Sequence, residues 1–96
     1  MQQPQTDTPA VSFPLPMLPR IVSVEAEPET RTILATFETG ERRRYDVGPL
    51  LTRGVFRRLE EVEAFIAIGV DEMGGVVWEA GPDLCRDTVY LAGEAA

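Results

Sequence analysis

"TILATFETGERRRYDV", Thr32 to Val47, holds two β-favouring runs around Glu38-Thr39-Gly40, and the way they pair decides the fold. A three-residue loop with Gly40 in the left-handed position sets Phe37 opposite Glu41, Ala35 opposite Arg43 and Ile33 opposite Tyr45. That register collects Ile33, Ala35, Phe37, Tyr45 and Val47 on one face and Arg42, Arg44 and Asp46 on the other. A two-residue loop would instead place Tyr45 beside Leu34 and Phe37 beside Arg42. A slip of one residue exchanges the faces of a strand, so the apolar match selects the three-residue loop. Leu34 then stands on the outer face, where the sheet is expected to be partly covered.

The pattern continues outward from this hairpin. Upstream, Ile21 to Ala26 alternates Val22, Val24 and Ala26 against Ser23 and Glu25, which predicts a half-buried strand, and Glu27 to Thr30 is a turn. Downstream, Gly48-Pro49-Leu50-Leu51 starts a helical turn that Gly54 ends, and Val55 and Phe56 re-enter the core. Leu59, Val62, Phe65 and Ile66 have helical spacing, with Glu60, Glu61 and Glu63 where a helix dipole favours acids. Ile66 to Val70 and Val76 to Glu79 read as strands joined by the turn-forming Asp71 to Gly75, and a last helical turn falls near Asp87 to Leu91. Residues 93–96 are expected to fray. These elements predict one α+β domain over residues 20–92: a small, mainly antiparallel sheet of about five strands with two or three short helices.

An arm precedes the domain. Residues 1–19 carry five prolines, which fix their own dihedrals and push their predecessors toward extended backbone, so the arm is expected to be extended or disordered. Phe13, Leu15, Met17 and Leu18 make its second half too apolar for an inert linker and mark it as a candidate attachment segment for a partner or a second copy.

Charge and composition exclude several functions. The 96 residues carry 16 acidic and nine basic side chains, a formal net charge of −7, and every basic residue is Arg. A surface so acidic is repelled by phosphate backbones, so no nucleic-acid partner is expected. No apolar run is long enough for a membrane span, and the Met-Gln-Gln-Pro-Gln start is unlike a secretory signal. A single Cys cannot form an internal disulfide, which fits a reducing cytoplasm.

The candidate chemistry is thin. Cys85 has no His to activate it, because the chain contains none, and it reads as a passive thiol. One Cys and no His leave the usual zinc ligands missing, and no cofactor is expected. Glu60, Glu61, Glu63, Asp71, Glu72, Asp83 and Asp87 read as a solvated acidic face, so enzyme activity is not expected. Trp78, at the end of a short β-favouring run that Gly81-Pro82 stops, reads as a core residue sharing one core with Phe37. Arg42 and Arg44 point together, toward Glu25 and Asp46, and with Leu34 they form a candidate partner-binding set. Arg43 falls at the rim of the apolar face, with its stem buried and its head in water.

The order of these pieces carries a resemblance. Arg20-Ile21-Val22-Ser23-Val24, Phe37-Glu38-Thr39-Gly40-Glu41, Tyr45-Asp46-Val47, Pro49-Leu50-Leu51 with Gly54-Val55-Phe56, and Val77-Trp78 with Gly81 and Asp83-Leu84 together resemble the bacterial family called domain of unknown function 2442, over roughly residues 20–91. The resemblance implies a small α+β fold and brings no established activity and no catalytic residues. It also implies short cytoplasmic proteins, some with a helix-turn-helix extension or a likeness to toxin–antitoxin genes. The chain is expected to end before such an extension. The Pro-rich head departs from the pattern, as does Cys85, where a polar residue is more usual. Both departures weigh against a DNA-binding regulator. Two readings follow: a non-catalytic protein-interaction module, as accessory subunit or adaptor of a larger complex, and an antitoxin-like regulator that neutralises a small basic protein.

Overall fold

The computed structural model describes residues 18–96. Among these residues, two antiparallel sheets and two short α-helices surround one core. The first sheet is built from β1 (Ile21–Glu27), β2 (Thr32–Phe37) and β3 (Arg42–Asp46). Two 3-10 segments, Gly48–Leu50 and Gly54–Glu60, lead into α1 (Val62–Ile66). The second sheet holds β4 (Ile68–Val70), β5 (Val76–Trp78) and β6 (Asp83–Leu84), followed by α2 (Arg86–Ala92) and β7 (Glu94–Ala95). Strand orders are β1-β2-β3-β7 and β4-β5-β6. The fold is α+β, with seven strands among the described residues instead of about five in one main sheet.

The hairpin has the expected register. Ile33 pairs with Tyr45 and Ala35 with Arg43, and the Phe37 amide donates to the Glu41 carbonyl at 2.8 Å. Gly40 sits at φ 92°, the left-handed backbone that the loop requires. Ile33, Ala35, Phe37 and Val47 are buried against Leu59, Phe65, Val76, Trp78 and Val89. Trp78 is at the centre of that cluster. Its indole Nε1 donates to the Phe65 carbonyl at 2.9 Å, and Phe56 meets its ring edge-on at 6.2 Å. The sequence VVWEAGPDLC is therefore a core strand and a turn.

Several expectations need correction. The alternation in β1 predicted Val22 as inward-facing, yet Ile21 pairs with Phe37 while Ser23 pairs with Thr36, so the register shifts between them. This bulge seats Ile21 and Val24 on the core face and turns the two residues between them outward, leaving Val22 58% exposed. Val55, predicted to re-enter the core, is exposed, because Gly54 opens a 3-10 segment there. Val62 and Ile66 are about half exposed, since a helix this short buries one residue, Phe65. Ile66 ends α1, so the fourth strand starts at Ile68. The terminal residues expected to fray pair instead as β7, with Ala95 opposite Arg43 and Glu94 opposite Arg44.

The two sheets are clasped at the Asp71–Gly75 loop. Asp71 Oδ1 accepts the amides of Met73 at 2.8 Å and Gly75 at 2.9 Å, which shapes the turn. Three successive carbonyls of that turn then take donors from elsewhere: Glu72 from the Arg20 guanidinium at 2.7 Å, Met73 from Arg86 at 3.0 Å, and Gly74 from the Ile21 amide at 2.9 Å.

Candidate functional site

The outer face of the first sheet has charged rows laid down by strand alternation. Across the strands, Ser23, Thr36 and Arg42 share one level, and Glu25, Leu34, Arg44 and Glu94 share the next. Glu27, Thr32 and Asp46 share the third. β1 thus contributes an acidic row, β3 an arginine row, and β2 a neutral row between them. The buried cluster lies on the other side of the sheet, and the charged members of this face are mostly exposed. Leu34 keeps only 8% of its surface, flanked by the stems of Glu25 and Arg44 across the pleat.

The pairing within this face differs from the expectation. Arg44 grips Glu27, not Glu25 or Asp46, with Nε at 2.8 Å and a second nitrogen at 3.0 Å from its two carboxylate oxygens. Thr32 donates to the same carboxylate at 2.6 Å. The Arg44 hydrogen bond, then that of Thr32, holds the Glu27 carboxyl down from 4.5 to about 2. Asp46 is occupied differently, capping the Gly48 amide at 2.9 Å. Glu25 and Arg42 have no ion pair among the described residues.

That depressed carboxyl has a pH signature. A group whose folded pKa lies below its unfolded value stabilises fully above the unfolded value and loses the contribution as pH falls through the folded one. The Glu27 contribution should therefore fade between about pH 4.5 and about pH 2. It is small, because the pair is partly exposed. Urea midpoints of the parent and Glu27→Gln should differ at pH 6 and converge near pH 2. A gap that stays constant with pH would show that the pairing is not maintained in solution.

On the inner rim, the Arg43 guanidinium stacks over the Tyr90 ring at 4.2 Å and reaches Glu41 at 3.2 Å. Tyr90 also donates to Glu41 at 2.9 Å, and this bond, more than any other contact, lowers the Glu41 carboxyl. Arg43 is thus absorbed by its own domain, with its stem at the rim as its strand position predicts.

A second feature is a groove of about 350 Å³ between the Asp71 loop and the start of α2, where Cys85 is exposed. Its thiol lies 3.2 Å from the Thr88 hydroxyl, and hydrogen bonds from Thr88 lower its pKa. The charge of Asp87 works against that shift, and Asp71 and Asp83 line the same groove. Among the described residues no group of three or more His, Cys, Asp or Glu is placed to hold a metal ion. No helix there is long and apolar enough to cross a membrane.

Leu34, Arg42 and Arg44, singled out in the sequence, come together on the outer face. Leu18 is half-buried outside the strands, and Phe13, Leu15 and Met17 lie outside the described residues. The acidic half of the face, Glu25 and Glu27, and the exposed Val22 were missed as site residues. Strand alternation alone could have placed the two acids beside Leu34; the bulge that exposes Val22 has no such signal.

Neither the curated proteins nor the solved structures contain a match to this chain. A family model described as "Protein of unknown function (DUF2442)" matches residues 21–95, from the first residue of β1 to the last of β7. The match takes in both sheets, the Asp71–Gly75 loop and the whole outer face, and the chain belongs to the DUF2442 family.

Proposed function

We propose that this chain is a non-catalytic protein-interaction module, an accessory subunit or adaptor, and that the outer face of its first sheet is the contact surface. The observation that carries the reading is the bare face itself. It is three full strands and one short strand wide, has the exposed Val22 beside it while Leu34 is already covered by its neighbours, and presents Glu25 and Arg42 without ion-pair partners among the described residues. Antiparallel sheets tolerate a wet face, but a purely solvated one needs neither apolar side chains nor unmatched opposite charges. Cys85 supports no competing catalytic reading, since a nucleophile needs a base and the chain has no His.

The test compares the tagged full chain with Val22→Asp/Arg42→Glu in native lysate. Both sites are exposed, so each substitution should change stability by only about 0.5 kcal/mol. Proteins retained by the parent should be lost by the variant while its melting temperature holds. Identical retained sets for the two chains would refute the assignment of this face.

A further inference from the structure

We infer that β7 is a displaceable strap, and that the edge of β3 beneath it takes an extended acidic segment of a partner protein as an added antiparallel strand. The inference rests on the reading of the chain as an interaction module and names the chemistry of its partner. Its warrant is a strand already seated on that edge, and seated loosely. The sheet runs β1-β2-β3-β7, so among the described residues β7 alone continues the ladder beyond β3. It pairs with only two of the five residues of β3, Arg43 and Arg44. Both residues of β7 are exposed, so neither anchors the strap by burial. Glu and Ala are also poor strand formers, which leaves backbone hydrogen bonds as its main hold.

The side chains of the strap match β3 poorly. Ala95 stands opposite Arg43, which Glu41 and Tyr90 already engage. Glu94 stands opposite Arg44, but Arg44 turns to Glu27 instead. The Ala96 amide donates to the Arg42 carbonyl at 3.0 Å. A methyl group therefore sits level with an arginine that has no ion pair among the described residues. A strand with acids at the levels of Arg42 and Arg44 and a small residue between them would keep the backbone bonds of the strap. It would also supply the charge that the strap lacks. A groove of about 260 Å³ beside β7, lined by Thr32, Arg44, Asp46, Ala92 and Glu94, has room for an outer side chain of such a strand. Asp46 borders that groove, so the run of acids should end at the level of Arg44.

The opposite edge of the sheet rejects the same ligand. It is β1, where a bulge at Val22 interrupts the ladder and Glu25 and Glu27 repel an acidic strand. The sheet thus offers an incoming acidic segment one edge out of two. The strap also makes that edge conditional. Tethered beside β3, it competes as an intramolecular ligand, and only a segment that binds better than β7 gains the edge.

The decisive experiment titrates the isotope-labelled full chain by NMR with a blocked peptide of about six residues that alternates Glu and Val. A scrambled peptide with its glutamates in one block has the same charge and composition. The alternating peptide should bind saturably and at least tenfold more tightly than the scrambled one. As it binds, the amide signals of Glu94, Ala95 and Ala96 should move to those of an unpaired chain. Arg42→Glu should weaken that binding at least tenfold. Ala96→Glu gives the strap the acid it lacks, so it too should weaken the alternating peptide at least tenfold. The scrambled peptide, which feels the same added charge, should change far less. Both positions are exposed, and thermal melts verify that each variant is folded. Equal binding of the two peptides would reduce the edge to a charged surface and overturn strand addition. Binding that leaves the β7 signals in place would move the ligand off this edge. A parent that sediments as a dimer, dissolved by Arg42→Glu, would assign the edge to a second copy and overturn the partner's strand. No binding of the alternating peptide would also overturn the inference. If Val22→Asp/Arg42→Glu still loses proteins that the parent retains from lysate, the contact-surface reading survives that failure.

Discussion

Trp78→Ala is expected to lower stability by about 3–5 kcal/mol, the usual cost of removing a large aromatic from a packed core. Domains of this size hold about 5–15 kcal/mol in total, so the variant should be unfolded or close to it at body temperature. The indole is almost wholly buried, packs against Phe56 and Phe65, and satisfies the Phe65 carbonyl, which would otherwise face apolar side chains. Trp78→Phe separates the two contributions. It keeps most of the ring volume but orphans that carbonyl, at a cost of about 1–3 kcal/mol. Thermal melts of the two variants would give that ranking. A Trp78→Ala protein that melts like its parent would place the indole outside the core and remove the centre of the fold described above.

The second large effect should separate two neighbours. Ile21→Ala is expected to cost about 2–5 kcal/mol, and Val22→Ala no more than about 0.5 kcal/mol. The bulge is the reason: Ile21 is buried opposite Phe37, and Val22 is turned out of the core. For a domain of this size each kcal/mol moves the melting temperature by about 4–8 °C. The melting temperature of Ile21→Ala should thus fall by about 10 °C or more while that of Val22→Ala stays within a few degrees of the parent. Equal losses, or the larger loss at Val22, would mean that β1 runs without its bulge.

These two residues also mark how far the sequence could be read. The β2–β3 hairpin was legible to the residue because two independent signals agreed, a Gly that favours left-handed backbone and an apolar pattern that only one register matches. Trp78 as a core residue was legible from burial energetics alone. The bulge was not, since Ile21-Val22 are both apolar β-formers and only the partner strand decides which of them faces inward. The division into two sheets was hidden for a similar reason: β4, β5 and β6 are three, three and two residues long, too short for periodicity to identify their neighbours. β7 reads locally as a polar terminus and becomes a strand only because β3 offers it an open edge.

The candidate site was half legible. Leu34, Arg42 and Arg44 follow from alternation within one hairpin, and they do share a face. Their acidic counterparts sit on β1, where alternation sets them on the same face, but which carboxylate Arg44 reaches is decided across the sheet, so local pattern paired Arg44 with the wrong carboxylates. The Glu27–Arg44 pair crosses from β1 to β3 over the intervening strand, a diagonal contact that no spacing within either strand encodes.

The clasp at the Asp71 loop bears on the order in which the chain folds. Its donors come from Arg20 and Ile21 near one end of the domain and from Arg86 near the other, so it cannot assemble from any local segment. The β2–β3 hairpin can form early from neighbouring residues, whereas the clasp must wait until both ends have been brought together against the entropy of a long closed loop. Once made, it gives three consecutive carbonyls partners from outside the loop, two from the start of the first sheet and one from α2. Lifting the first sheet from the second would strip the Glu72 and Gly74 carbonyls at once, so the two small sheets should open as one cooperative unit instead of fraying separately.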